Sequence, residues 1–123
     1  MVHLALHVVV PLIAALLFYR ERWPSTLIVL LATMMVDVDH LLADPIYDPE
    51  RCSIGFHPLH TLPAVAVYVA LWLVPAVLQW RESRDIERST KAGVLSERRR
   101  YIHLAGLGLV IHMALDALDC WMM

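Results

Sequence analysis

Cysteine is scarce in this chain: Cys52 and Cys120 are too few to define a disulfide framework, so the fold must rest on something else. The next gap is one of charge. Four apolar stretches carry almost no lysine or arginine, and a formal net charge of -2 excludes the general basic character of a nucleic-acid binder. A cleavable signal peptide is not indicated either. The N-terminus lacks a basic region, no small-x-small cleavage pattern follows the first apolar run, and Arg20, Glu21 and Arg22 close that run directly. No internal repeat is visible.

What is present is hydrophobic. The 123 residues are 59% apolar, against the ~45–50% typical of soluble domains, and the mean hydropathy is +0.61. The length allows one domain. The expected fold class is all-α, an integral membrane bundle of four transmembrane helices over about 2–19, 24–42, 58–80 and 101–121. Each span approaches the ~20 residues that cross a bilayer. Pro11 is tolerated inside a membrane helix, and Pro24 suits a first helical turn. Between the second and third helices lies the loop 43–56; residues 81–100 form the longest polar stretch, a surface helix or a loop.

Basic residues set the orientation. The first loop carries Arg20 and Arg22. The third carries Arg81, Arg84, Arg88, Lys91, Arg98, Arg99 and Arg100. The second holds only Arg51 against Asp44, Asp48 and Glu50. Loops one and three, 81–100 included, are therefore expected in the cytoplasm, with both termini and the second loop of this multi-pass protein on the outer side. Tyr19, Trp23, Trp80, Tyr101 and His103 read as interfacial residues on the cytoplasmic side, and Gly106 and Gly108 as sites of close helix packing. Cys52 and Cys120 fall on the outer side, where they can pair, stay free, or join a metal.

The polar residues inside the apolar spans are unevenly placed. His3 and His7 begin helix one, Asp37, Asp39 and His40 close helix two, His57 and His60 open helix three, and His112, Asp116 and Asp119 occupy the outer half of helix four. Four segments thus deliver imidazole and carboxylate to one depth. At about 100° per residue, His3 and His7 share a face, as do His112, Asp116 and Asp119. Asp37 and His40 lie close together, whereas Asp39 points far from Asp37 unless the helix unwinds there. Each group has a plain alternative: interfacial histidines, solvated acids at a helix end, polar decoration of a helix start. Their coincidence does not. A buried carboxylate costs at least ~2.5–3.5 kcal/mol on insertion scales, and no lysine or arginine stands near to offset it. Six histidines and four aspartates suit one or two divalent ions, zinc first, with manganese or iron as alternatives. The expected metal ligands are His3, His7, Asp37, Asp39, His40, His57, His60, His112 and Asp116, with Asp39 or Asp119 as the proton acceptor.

The strings HLALH, DVDHLL, HPLHT and HMALD resemble the motifs of bacterial membrane-bound metal-dependent hydrolases: an early His, Asp-x-Asp-His, a central His pair and a late His-x-x-x-Asp. The segment Arg51-Cys52-Ser53-Ile54-Gly55-Phe56-His57-Pro58-Leu59-His60 resembles more closely a small bacterial family of about this length. The resemblance covers the chain except for 81–100 and implies metal-binding roles for His7, Asp37, Asp39, His40, His57, His60, His112 and Asp116. The chain departs from the larger family in the compact central motif and in lacking the arginine that usually follows its first histidine. Zinc-dependent phospholipases C and nucleases offer a looser analogy. The function these readings imply is metal-dependent hydrolysis of a membrane lipid, most naturally a phosphoester, with the site near the periplasmic face. The alternatives are metal binding or transport without hydrolysis, a haem protein, or a structural metal staple. A homodimer would help four short helices enclose a dry site.

Overall fold

The computed structural model describes residues 2–46, 48, 51–82 and 92–122, with the side chains of 2, 3 and 92–95 excepted. The described residues form helices and turns, with no strand among them. Helix α1 spans Val2–Phe18 and carries Pro11 inside it. A short 3₁₀ turn, Arg20–Arg22, leads into α2, Trp23–Ala32, with Pro24 in its first turn. Helix α3 spans Leu62–Glu82 and holds the buried Pro75. Helix α4 spans Ala92–Met122 and packs most extensively against α3.

Three boundaries differ from the sequence expectation. The second span is α-helical only to Ala32; Thr33–Leu42 continues as a 3₁₀ helix. Thr33 begins that change by turning its hydroxyl back onto the Leu30 carbonyl at 2.6 Å, a bond that competes with the α-helical pattern. The third helix starts at Leu62 rather than Pro58. His57 and Thr61 are both extended (ψ 143° and 158°) and bracket a single 3₁₀ turn, Pro58–His60. The fourth starts at Ala92, so the last part of the polar stretch 81–100 is helical and not loop. Residues 83–91, which include Arg84, Arg88 and Lys91, lie outside the described residues.

The bundle is built inside out relative to a soluble domain. Its buried apolar residues are few: Ala15, Leu30, Val36, Tyr68, Leu104 and Met113. Buried beside them are His7, Thr26, Asp39, His57, His60, His112 and Asp116. Large apolar side chains face outward along every helix, among them Leu17, Ile28, Val67 and Leu118. Three segments are long and apolar enough to cross a membrane, Arg20–Leu42, Leu62–Glu82 and Ser96–Met122; α1 is a shorter apolar helix.

Glycine allows the helices to touch. A Cβ on Gly106 would sit 2.6 Å from the Leu71 carbonyl carbon, and one on Gly108 would sit 2.6 Å from Thr33 Oγ1. Neither site has room for a side chain, which brings α4 onto α3 and α2. Below Gly106, His103 ties three segments together: Nδ1 lies 2.7 Å from the Trp72 carbonyl and Nε2 lies 2.8 Å from the Tyr19 hydroxyl. At the other end a disulfide joins Cys52 to Cys120, so the loop after the 3₁₀ segment is bonded to the end of α4.

Candidate metal centre

The tighter winding of Thr33–Leu42 decides how the Asp-x-Asp-His motif is presented. In a 3₁₀ helix, residues three apart eclipse, so Asp37 and His40 stand on one edge. Residues two apart diverge by ~120°, against ~160° in an α-helix. Asp37 and Asp39 can then serve neighbouring places rather than opposite ones. His60 is set by the turn before α3. Gly55, at φ 82°, donates its N–H to the His60 carbonyl at 2.9 Å; a residue with a Cβ is strained at that φ. The Tyr68 hydroxyl holds the Leu59 carbonyl at 3.0 Å.

Four side chains from three segments converge. Asp37, His60, His112 and Asp116 each offer one donor atom, all within 4.8 Å of one another. His112 Nε2 lies 2.9 Å from Asp37 Oδ1 and 3.4 Å from Asp116 Oδ2. His60 Nε2 lies 3.0 Å from Asp116 Oδ2 and 3.5 Å from Asp37 Oδ1. Ligand bonds of ~2.0–2.1 Å around a tetrahedral zinc would separate donors by ~3.3–3.4 Å. The observed separations bracket that value. His60 Nε2 is also buried without a hydrogen bond, although two carboxylates stand beside it. Charge agrees: two carboxylates and two neutral imidazoles balance a divalent ion, and the ion pairs of Arg22, Arg51, Arg99 and Arg100 all go to other acids.

Around this set lie the supports. His7, on α1, places Nε2 3.2 Å from Asp116 Oδ1, and its ring meets that of His112 edge-on with centroids 4.5 Å apart. Asp39 is buried and is not one of the four donors. Its Oδ2 accepts the Leu59 N–H at 2.8 Å and lies 3.2 Å from His60 Nδ1; its Oδ1 lies 3.2 Å from His40 Nδ1. A carboxylate on the far nitrogen of a ligating imidazole fixes tautomer and ring orientation, and Asp39 stands in that position toward His60. His40 stacks on His57 with centroids 3.8 Å apart and reaches Ser53 Oγ with Nε2 at 3.2 Å. Asp39, His40 and His57 form a second group whose donor atoms lie within 4.8 Å of one another. One side of the main cluster is open: the Asp37 side chain is 43% exposed, while those of His60, His112 and Asp116 are at most 4% exposed.

The histidines of the turn differ in basicity. Burial opposes a charge on His60, but the Asp116, Asp37 and Asp39 carboxylates outweigh it and raise the imidazole to about 10. Burial, then the neighbouring His40, lower that of His57.

Of the residues expected from sequence, the structure gathers His7, Asp37, Asp39, His40, His57, His60, His112 and Asp116. Asp119 belongs to neither donor group. The side chain of His3 lies outside the described residues. Sequence reasoning missed Ser53 and Leu59, whose parts are a hydroxyl and a backbone N–H at a turn; Gly55 in the same string was the available signal.

Residues 1–79 match the sequence profile of a family of unknown function, DUF6122, and the chain belongs to that family. The matched part holds His7, Asp37, Asp39 and His60, and ends before α4 supplies His112 and Asp116. Comparison with curated proteins and with solved structures finds no match.

Proposed function

We propose that this DUF6122 protein is a membrane-embedded metal-dependent hydrolase of a lipid-like phosphoester, with all four helices inserted and the His/Asp end near the periplasmic face. Insertion is supported by the three long apolar segments and the outward apolar side chains. At 17 residues, α1 reaches the lower limit for crossing a bilayer. The observation that carries the chemistry is the convergence of Asp37, His60, His112 and Asp116 in a buried, polar-lined centre.

Asp37, His60, His112 and Asp116 would hold a divalent ion, zinc by its donor set, which would supply Lewis acidity for phosphoester hydrolysis. The chain's own groups do the rest. His60, His112 and Asp116 are held in buried positions. Asp37, half exposed, marks the side from which a head group arrives laterally. Asp39 orients His60 through Nδ1 and is occupied by three donors, so it serves as a positioning residue. With Nδ1 donating to Asp39, His40 keeps Nε2, 3.2 Å from Ser53 Oγ, as the nitrogen that accepts the proton in this reading.

One observation favours a second reading, metal binding without hydrolysis. Four donors, all within 4.8 Å of one another, are enough to fill the coordination of zinc, as in structural sites. Elemental analysis of the purified protein and of His112→Ala, together with a lipid-phosphoester panel, separates the two. Hydrolysis requires stoichiometric metal in the wild type, loss of metal in His112→Ala, and turnover abolished with it. Stoichiometric metal with no turnover leaves the structural site. Unchanged metal in His112→Ala removes both.

A further inference from the structure

The end of the bundle away from the His/Asp centre has a cavity of its own. It measures about 410 Å³ and is lined by Leu17, Phe18, Tyr19, Arg20, Glu21, Arg22 and Arg100. Arg100 and His112 are twelve residues apart on α4, which puts ~18 Å of helix between this cavity and the metal centre.

The lining has two halves. Leu17 and Phe18 are 64% and 77% exposed and make its apolar side. Beyond them stand three arginines from two elements. Arg22 pairs with Glu97. Arg100 is anchored by Ser25 Oγ and Thr26 Oγ1, each at 3.1 Å, and lies 3.8 Å from Glu97. Arg20 is exposed and has no ion pair among the described residues. Three arginines against Glu21 and Glu97 leave one positive charge, and Arg20 carries it.

We propose that this cavity binds the phosphate of an anionic phospholipid, with Arg20 and Arg100 on the phosphate and the acyl chain along Leu17 and Phe18. One net charge matches a phosphodiester. Guanidinium suits phosphate oxygens because its planar fork donates two parallel hydrogen bonds; Arg20 supplies that fork, while Arg100, whose Nη2 protons go to Ser25 and Thr26, adds charge and its remaining N–H groups. Anchoring by Ser25 and Thr26 pre-organises Arg100, so less side-chain freedom is lost when the anion arrives. A wholly aqueous anion would not need the exposed apolar pair at the rim. The site is independent of the metal centre and of the hydrolase reading.

The test is native mass spectrometry of the detergent-purified protein. The probes are phosphatidylglycerol and phosphatidylcholine of equal chain length, with inorganic phosphate as competitor. The wild type should retain phosphatidylglycerol preferentially. Arg20→Gln should cut that retention about fivefold, the worth of one arginine near an anionic surface, with phosphatidylcholine and the melting temperature unchanged. Displacement by millimolar inorganic phosphate would identify the free anion as the ligand of the same site; persistence of the lipid identifies the head group. Equal retention of the two lipids, or an Arg20→Gln variant indistinguishable from wild type, overturns the proposal.

Discussion

The two ends of this bundle handle charge in opposite ways. At one end, Asp39, Asp116, His60 and His112 are buried, and acids meet histidines. At the other, Arg22–Glu97 and Arg99–Glu82 pairs lie at the surface. The difference follows from cost. An exposed pair keeps its hydration and contributes little in either direction. A buried carboxylate without a partner is several kcal/mol unfavourable, so it must be satisfied or removed. The His/Asp end has been satisfied at the expense of apolar packing: Val36, Tyr68 and Met113 are the only buried apolar cluster beside it among the described residues. Polar residues retained at such cost form the cluster that could hold a metal ion.

The contrast can be broken most forcefully at Asp116, which faces His7, His60 and His112. Asp116→Ala should cost about 3–5 kcal/mol by stranding its buried partners and should abolish stoichiometric metal, read by thermal unfolding in detergent and by elemental analysis. Replacing Cys52 and Cys120 together by serine should cost about 2–4 kcal/mol, since the bridge closes a long loop, with a sequence separation of 68. Because that loop also carries Ser53 and His57, metal affinity should fall with stability in a chelator competition.

Asp39→Asn sharpens the comparison within the His/Asp end. It keeps shape but weakens the hold on His60 Nδ1, and should lower metal affinity about 10–100-fold with a smaller loss of stability than Asp116→Ala. pH gives a signed test. His60 is raised from 6.5 to about 10 in the metal-free protein. The stability it contributes as imidazolium is full below pH 6.5 and is lost as pH rises toward 10. Metal needs the neutral imidazole, so affinity should rise across the same window, with proton release measurable by calorimetry in buffers of different ionisation enthalpy. Parallel slopes would show that His60 is not a ligand. The smallest effect belongs to the other end: Arg22→Gln should leave the melting temperature unchanged despite a visible ion pair, because that pair is exposed and screened.

Much of the bundle was legible in the sequence because hydropathy is additive along the chain. Runs of apolar residues located all four helices, and charge interrupted them where the turns lie. The convergence of His7, Asp37, His60, His112 and Asp116 was legible for a related reason: buried polar residues at equal depth in helices of fixed rise must lie at one level. The misplacements came from backbone choices that depend on particular contacts. Pro58 looked like a helix start, but the extended residues on either side of Pro58–His60 make it an isolated turn. The polar run 81–100 looked like one segment, yet residues 92–100 extend α4.

What the sequence settled alone is therefore the number of helices and the end of the bundle at which imidazole and carboxylate collect, since both follow from residue type and spacing. Only the tertiary structure decided their division of labour. The 3₁₀ winding of Thr33–Leu42 brings Asp39 nearer to Asp37 in direction than an α-helix would, so that Asp39 reaches His60 Nδ1, and the Cys52–Cys120 bond ties the loop before the His60 turn to the end of α4. The cysteine pair is not local: residues 68 apart in sequence bond only when the fold brings them together. Depth in the bundle is a one-dimensional property, but the direction of a donor atom is not.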